Sequence, residues 1–271
     1  MKTKQKIFLA KILYYFINFF FPKQAEIKRN GINWNLDFSE AIDLHILIFG
    51  SFEKEIINCA KKLNLNKFGN IIDIGANFGV QSLQFAKEFN NSLIYSIEPT
   101  NYAYDKFMKN LKLNTDLSKN IKSFNLFIGS QDQKKPEFVY SSWNLSSKET
   151  KHPKHLGEKK DTKNVKIKTF KEFLIENSIS NVDFVKLDVD GYEYYVLQSG
   201  FEFFKEKKPP IFMELAPYLY EEYGYSREIF LKLIKSLDYE FYDLKNLNKI
   251  IDIDYKVSKI KDGSSENILL M

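Results

Sequence analysis

The chain has 271 residues, 44% hydrophobic and 16% aromatic, with a net charge of +5. That is enough apolar material for one sizeable α/β domain with appendages, and it excludes a disordered chain. The charge is uneven: residues 1–30 hold seven basic residues and one acid, residues 148–168 hold eight lysines and three acids, and the remainder is −6, which argues against a nucleic-acid surface and points to local anionic contacts.

Residues 1–29 form the first predicted unit, an amphipathic helix and a linker. MKTKQK leads into an apolar run broken by Lys11 and Asn18, short of the roughly 20 residues needed to cross a bilayer. Phe21-Pro22-Lys23 follows, with no small-residue cleavage site. On a helix, Lys4, Lys11, Tyr15 and Asn18 fall near one face. Phe8, Leu9, Ile12, Leu13, Phe16, Phe19 and Phe20 share a broad apolar one. Such a face serves peripheral membrane contact through residues 1–21, packing on its own domain, or a homo-oligomer; the sequence leaves these open.

Residues 30–271 read as one domain. Asn30-Gly31 is a hairpin turn signal, with Ile32, Trp34 and Leu36 alternating after it. An irregular cover then leads to a helix over about residues 52–63. His45, among Leu44, Ile46 and Leu47, is expected in the core. The lone Cys59 excludes an internal disulfide and a cysteine-based zinc site, and fits a reducing cytoplasm.

Residues 71–99 read as strand, turn, helix, strand, and the rest of the chain is organised around them. The turn carries Gly75 and Gly79, and an acid ends each strand, Asp73 before the turn and Glu98 before Pro99. The glycines permit close backbone approach, and the new helix would offer unpaired N–H groups to a carboxylate or phosphate. A dinucleotide needs G-x-G-x-x-G, whereas the spacing here is Gly75-x-x-x-Gly79, and Asp73 puts negative charge where a pyrophosphate would lie. S-adenosylmethionine fits better: its sulfonium and ammonium favour a carboxylate, and both ribose hydroxyls can donate to Glu98. Asp73, Gly75, Asn77, Gly79 and Glu98 are therefore the expected cofactor site.

A helix capped by Thr100 or Asn101 carries Tyr104, Phe107, Met108 and Leu111 as a core stripe. Residues 121–128 read as the third strand, and the following turn, Gly129-Ser130-Gln131, is placed to contact an adenine, with Gly129, Ser130 and, further along the chain, Asp188 added to the cofactor residues. Residues 131–168 read as an irregular substrate-side loop. Within it Trp143, Asn144 and Ser146, beside Ser141, mix a flat aromatic face with hydrogen-bonding groups and are the expected substrate contacts, while nearby lysines could meet phosphate.

Residues 182–193, VDFVKLDVDGYE, are the second chemical stretch. Lys186 and Asp188 share one strand face and can pair, which would hold Asp188 ionised at the strand's carboxyl end. Asp190-Gly191 turns the chain, and Glu193 falls in the next helix's first turn, where the dipole alone accounts for it. Residues 211–214 form another strand ending in an acid, Glu214. A helix over residues 227–237 follows, then strands at residues 239–242 and 267–270, read as an antiparallel hairpin without an intervening helix.

With Asp73-Ile74-Gly75-Ala76-Asn77-Phe78-Gly79, Glu98-Pro99 and Lys186-Leu187-Asp188-Val189-Asp190-Gly191-Tyr192-Glu193 together, the chain resembles the FkbM family of S-adenosylmethionine-dependent methyltransferases from about Gly31 onward. One departure is Asp190, where the family more often has glutamate. The resemblance implies an α/β fold, the seven-stranded Rossmann-like class I methyltransferase sheet with helices on both faces and the last strand antiparallel. It also implies O-methylation of sugar hydroxyls in surface polysaccharide, lipopolysaccharide or natural-product glycosides. The acceptor would be a glycan or a sugar-containing small molecule, met in the cytoplasm or at the inner face of the membrane.

Methyl transfer from a sulfonium is an in-line displacement that requires alignment and a base for the hydroxyl. Asp188 is the first candidate by position, with Glu193, Glu214, His152 and His155 behind it. Asp188, Asp190 and Glu193 could instead hold a divalent metal such as Mg²⁺ that lowers the hydroxyl's pKa. Two other readings stand beside this one: a methyl-donor-binding scaffold without catalysis, and a nicotinamide oxidoreductase.

Overall fold

The computed structural model describes residues 3–20, 22–63, 69–130, 136–147 and 151–271, with side chains from residue 8 onward. Helix α1 (Thr3–Phe20) leads into the hairpin of β1 (Gln24–Arg29) and β2 (Ile32–Asp37). Asn30 and Gly31 turn this hairpin at φ 48° and 77°, the left-handed pair that Asn-Gly favours. Residues 24–29 are thus a strand and not the expected linker. The expected irregular cover contains a helix, α2 (Ala41–Phe49), whose apolar run gives no clean 3.6-residue period. Next comes α3 (Lys54–Lys62), near its expected bounds. His45 is accounted for locally, its Nδ1 lying 3.0 Å from the Ser51 carbonyl.

β3 (Asn70–Ile74), α4 (Val80–Glu88), β4 (Leu93–Ile97), α5 (Asn101–Leu113), the short α6 (Thr115–Ser118) and β5 (Ile121–Phe124) continue the alternation. The expected strand over residues 121–128 breaks at Asn125, whose Nδ2 donates to the Glu98 carbonyl at 3.0 Å. After the break come β6 (Leu126–Ile128), β7 (Phe138–Ser141), β8 (Glu158–Asp161) and β9 (Lys166–Lys168). β6 leaves the main sheet to pair with β9, and β7 with β8 forms an antiparallel hairpin inside the stretch expected to be irregular. The chain then adds α7 (Phe170–Glu176), β10 (Phe184–Leu187), α8 (Glu193–Ser199), α9 (Phe201–Lys207), β11 (Ile211–Leu215), α10 (Arg227–Ser236), β12 (Phe241–Asp243), α11 (Ile253–Ser258) and β13 (Glu266–Leu270). α11 lies where no helix was expected, yet β12 and β13 do pair antiparallel.

The main sheet has seven strands in the order β12-β13-β11-β10-β3-β4-β5. β13 runs antiparallel to both its neighbours, and the pairs from β11 to β5 are parallel. Alternate side chains feed two cores. Ile72, Ile74, Val185, Leu187 and Met213 pack on one face with Phe170, Phe204 and Phe230. Ile71, Ile94, Phe184 and Phe212 pack on the other with Leu83, Phe85 and Trp34.

The N-terminal hairpin is bolted to this body by polar side chains. Asn110 and Asn114 of the α5 region accept from the Asn35 and Asn33 N–H groups at 2.8 and 2.9 Å, satisfying part of β2's free edge. Buried Lys106 pairs with buried Asp43 of α2. Burial, only partly countered by Lys106, pushes the Asp43 carboxyl up to about 6.

Candidate active site

The carboxyl ends of β3, β4, β10 and β11 converge where an open α/β sheet binds its ligands. Between β3 and α4 the chain turns through Gly75, Asn77 and Gly79 at φ 81°, 51° and 86°. A Cβ at Gly75 would sit 1.8 Å from the Asp188 carbonyl oxygen, so the β3 turn and the β10 turn pass each other backbone to backbone.

The N–H groups of this turn are already used. Those of Gly75 and Ala76 both donate to the Ile97 carbonyl, at 2.9 and 3.0 Å, and that of Gly79 to the Ala76 carbonyl at 2.9 Å. Asn77 donates to Glu98 Oε2 at 2.9 Å, and Phe78 to the Asn77 side chain at 2.9 Å. The N–H groups of residues 75–79 are therefore not free for an anion, which leaves the first turn of α4 as the place for the expected donors. A pyrophosphate would find acids and satisfied donors, which removes the physical support for a nicotinamide dinucleotide.

Asp73 is fully buried, and this corrects its expected role. Its Oδ2 accepts from Ser82 Oγ of α4 at 2.6 Å, and its Oδ1 lies 3.4 Å from Lys186 Nζ. It ties α4 to β3 from beneath the turn and cannot touch a ligand in the crevice directly. Glu98 is also buried: Oε1 accepts from the Thr100 N–H and hydroxyl at 2.8 and 2.5 Å, and Oε2 from Asn77. Of about four lone-pair sites on a carboxylate one remains, on Oε2, enough for one ribose hydroxyl and not the two expected.

Lys186 is the buried cation at the centre. Its Nζ donates to the Gly75 carbonyl at 2.7 Å and lies 3.5 Å from Asp188, as the shared strand face predicts. Burial pulls its pKa down, but Asp188, Asp73 and Glu53 together outweigh burial and raise it. The Asp188 side chain, 28% exposed, is the member of this network open to a ligand.

The other acids have different states. Glu193 is fully buried, and its Oε1 accepts from Val189 and Gly191 N–H groups at 3.1 and 3.4 Å, so it braces the turn after β10. Burial pushes it up to about 7 against those hydrogen bonds, with Asp188 adding to the rise. Burial, then the neighbouring Asp188, raises Glu214 and Asp190 well above the usual carboxylate range. Glu214 thus favours its protonated form and is a poor base. Glu193, with Oε1 on backbone and Oε2 buried without a hydrogen-bond partner among the described residues, is closed off from the crevice and offers neither the expected catalysis nor an expected metal ligand. Among the described residues no group of three His, Cys, Asp or Glu is arranged to hold a metal ion, so Asp188, Asp190 and Glu193 do not form the expected Mg²⁺ site.

Glu53, at the start of α3, was missed by the sequence reading. It adopts left-handed backbone, φ 49°, and burial followed by repulsion from Asp188 pushes it up to about 8. An acid opening a helix is explained by the dipole, so no pattern marked it.

The presumed acceptor side is rearranged. Trp143 Nε1 donates to the His155 carbonyl at 2.7 Å, and its own carbonyl accepts from Ala41. Asn144 donates to Glu40 at 3.1 Å, while its Oδ1 accepts from the Ser146 N–H and hydroxyl, both at 3.0 Å. These three expected substrate contacts instead pin their loop to the N-terminal segment. Gly129 donates to the Lys168 carbonyl beside β9, so the break at Asn125 leaves it and Ser130 outside the main sheet; Gln131 lies outside the described residues.

His152 and His155 are buried and stacked, with ring centroids 4.1 Å apart. His152 Nε2 faces Glu222 at 2.8 Å. His155 Nδ1 accepts from the Gly157 N–H at 3.2 Å, which places the neutral ring's proton on Nε2. Burial and the neighbouring His152 lower its pKa to about 4. With its lone pair taken, His155 is a neutral donor and not the expected base. Among the described residues its Nε2 has no hydrogen-bond partner, like the hydroxyl of Tyr223, and its ring centroid lies 6.1 Å from that of Tyr218. Tyr218 and Tyr220 lie in the field of Glu214 and Glu193. A separate cavity of about 650 Å³, lined by Leu174, Ile175 and Phe201, includes none of these groups.

The strand order, the single antiparallel insertion and an acid-rich crevice over a glycine turn define a class I methyltransferase fold. The Methyltransferase FkbM domain matches residues 73–241, more than half of the chain, and the chain belongs to that family. It is an S-adenosylmethionine-dependent methyltransferase. None of the curated proteins matches it. Among solved structures it is similar to M. jannaschii TYW2 in complex with AdoMet, at 15% identity and TM-score 0.43, covering 92% of this chain and 84% of that one. Another is the precorrin-6y C5,15-methyltransferase of Geobacter metallireducens GS-15, at 11% identity and TM-score 0.41, covering 81% and 90%. The residues present fit the cofactor: the part-exposed Asp188 carboxylate suits its cationic end, and Glu98 Oε2 retains a lone pair for ribose.

Proposed function

We propose that the enzyme O-methylates a hydroxyl of a sugar, in a glycan or a sugar-containing small molecule, with Asp188 as the base. The observation that carries this reading is the contrast among the crevice acids. Asp188 is open and paired with Lys186, whereas Asp190, Glu193 and Glu214 are pushed towards protonation and Asp73 is covered. Bound S-adenosylmethionine supplies an electrophilic methyl group on sulfur. The acceptor hydroxyl is a weak nucleophile, and Asp188 takes its proton as the oxygen–carbon bond forms.

The lining supports an acceptor ring without negative charge. Asp188, the crevice carboxylate paired with Lys186, would repel a phosphate or carboxylate placed beside the reacting hydroxyl. Tyr218 and the unpartnered donors of His155 and Tyr223 suit a ring with apolar faces and hydroxyl edges. Any phosphate on the acceptor would lie away from the reacting ring.

The test is methyl transfer from labelled donor to neutral, amino and uronic acid glycosides, with wild type and Asp188→Asn. Neutral and amino sugars should be methylated and uronic acids refused. Asp188→Asn should lower turnover by about 10²-fold or more while donor binding persists, and chelator should leave the wild type active. A folded Asp188→Asn enzyme working at the native rate would remove Asp188 from the mechanism.

A further inference from the structure

We infer that α1 seats the enzyme on an anionic lipid surface. Only a narrow stripe of the helix meets the protein: Tyr14 is buried, and Ala10 and Ile17 pack partly against the body. The face predicted to be apolar is left bare. Phe8, Ile12, Phe16, Phe19 and Phe20 are all more than half exposed, Phe19 reaching 83%. Packing on its own domain, one of the uses open to this face from sequence, is therefore not what it does.

Two physical features select the occupant. No helix among the described residues is long and apolar enough to cross a membrane, so the exposed face can lie in an interface but not span it. The same segment is strongly basic, with seven basic residues against one acid over residues 1–30. Two copies joined through this face would bring like charge together, whereas anionic headgroups supply the opposite charge and acyl chains receive the phenylalanines.

α1 packs on α2, which holds the inner stripe of the helix against the body and leaves its apolar face turned outward.

The experiment is flotation of the full chain with phosphatidylcholine vesicles and with phosphatidylcholine–phosphatidylglycerol vesicles, read by protein recovery and independent of turnover. Wild type should float with the anionic vesicles about tenfold better than with the neutral ones, and salt should reduce this. The double variant Phe16→Glu, Phe19→Glu keeps the inner stripe, so it should retain its melting temperature and stop floating. Flotation with neither vesicle, or equally with both, would overturn the inference. So would a wild-type dimer in light scattering that the double variant dissolves, because the face would then belong to a second copy. Failure here leaves the acceptor chemistry untouched, since that is read from methylation alone.

Discussion

The donor turn and the acceptor side of the crevice differ in how their polar groups are satisfied. From Gly75 to Gly79 the N–H groups are bonded within the protein, to Ile97, Glu98, Asn77 and Ala76. Around Tyr218 the reverse holds: among the described residues His155 Nε2 and the Tyr223 hydroxyl are buried without partners. A buried donor without a partner costs about 1–3 kcal/mol, which a ligand can recover by accepting from it. The N–H groups of the donor turn are thus satisfied before anything binds, while donors on the acceptor side are left for a ligand to complete.

Lys186→Met should break the donor side most severely. It leaves Asp73 and Asp188 without their cation, and removing one partner of a buried pair costs about 3–5 kcal/mol, to be read from denaturant unfolding. The next effect is a pH dependence. The Glu193 pKa rises from 4.5 to about 7 on folding, so the native state holds this proton more tightly than the unfolded chain does. Its contribution is complete below about pH 4.5 and is lost as pH rises through 7, a fall of roughly 3 kcal/mol at most. Glu193→Gln should flatten that part of the stability–pH curve, and an unchanged slope would locate the titration elsewhere.

The smallest effects draw the contrast most directly. Ser82→Ala removes a satisfied bond to Asp73 and should cost about 1.5–3 kcal/mol. Tyr223→Phe removes an unpartnered hydroxyl, so stability should stay within about 1 kcal/mol of wild type or rise, while the KM for acceptor increases several-fold. Equal stability losses in the two variants would dissolve the distinction between the two sides.

The same division governs how far each side could be read from sequence. The donor unit declares itself because glycines at fixed offsets, β-branched runs and helical spacing are local signals, and Asn30-Gly31 marks its hairpin equally plainly. The acceptor side is built from long-range bonds. β8 is Glu-Lys-Lys-Asp, with no strand propensity, and is held by pairing with β7 and by Lys159, whose Nζ lies 4.3 Å from the Phe138 ring centroid. Trp143, Asn144 and Ser146 look like ligand contacts in sequence because recognition and loop anchoring use the same chemistry. Glu98 and Glu193 stand out in sequence by their places beside a strand end and a turn, but the backbone donors that occupy them could be counted only in three dimensions.

β13 is the last strand in chain order, yet it lies inside the sheet, between β11 and β12. During synthesis the β11 edge, Ile211-Phe212-Met213-Glu214-Leu215, must therefore wait unpaired until residues 266–270 emerge, and β12 has no partner in the main sheet before then. An apolar strand with an open edge is a template for pairing with other chains. Nascent or prematurely terminated chains that end before β13 should be the aggregation-prone species in the life of this enzyme, and chaperone demand should peak just before β13 can dock.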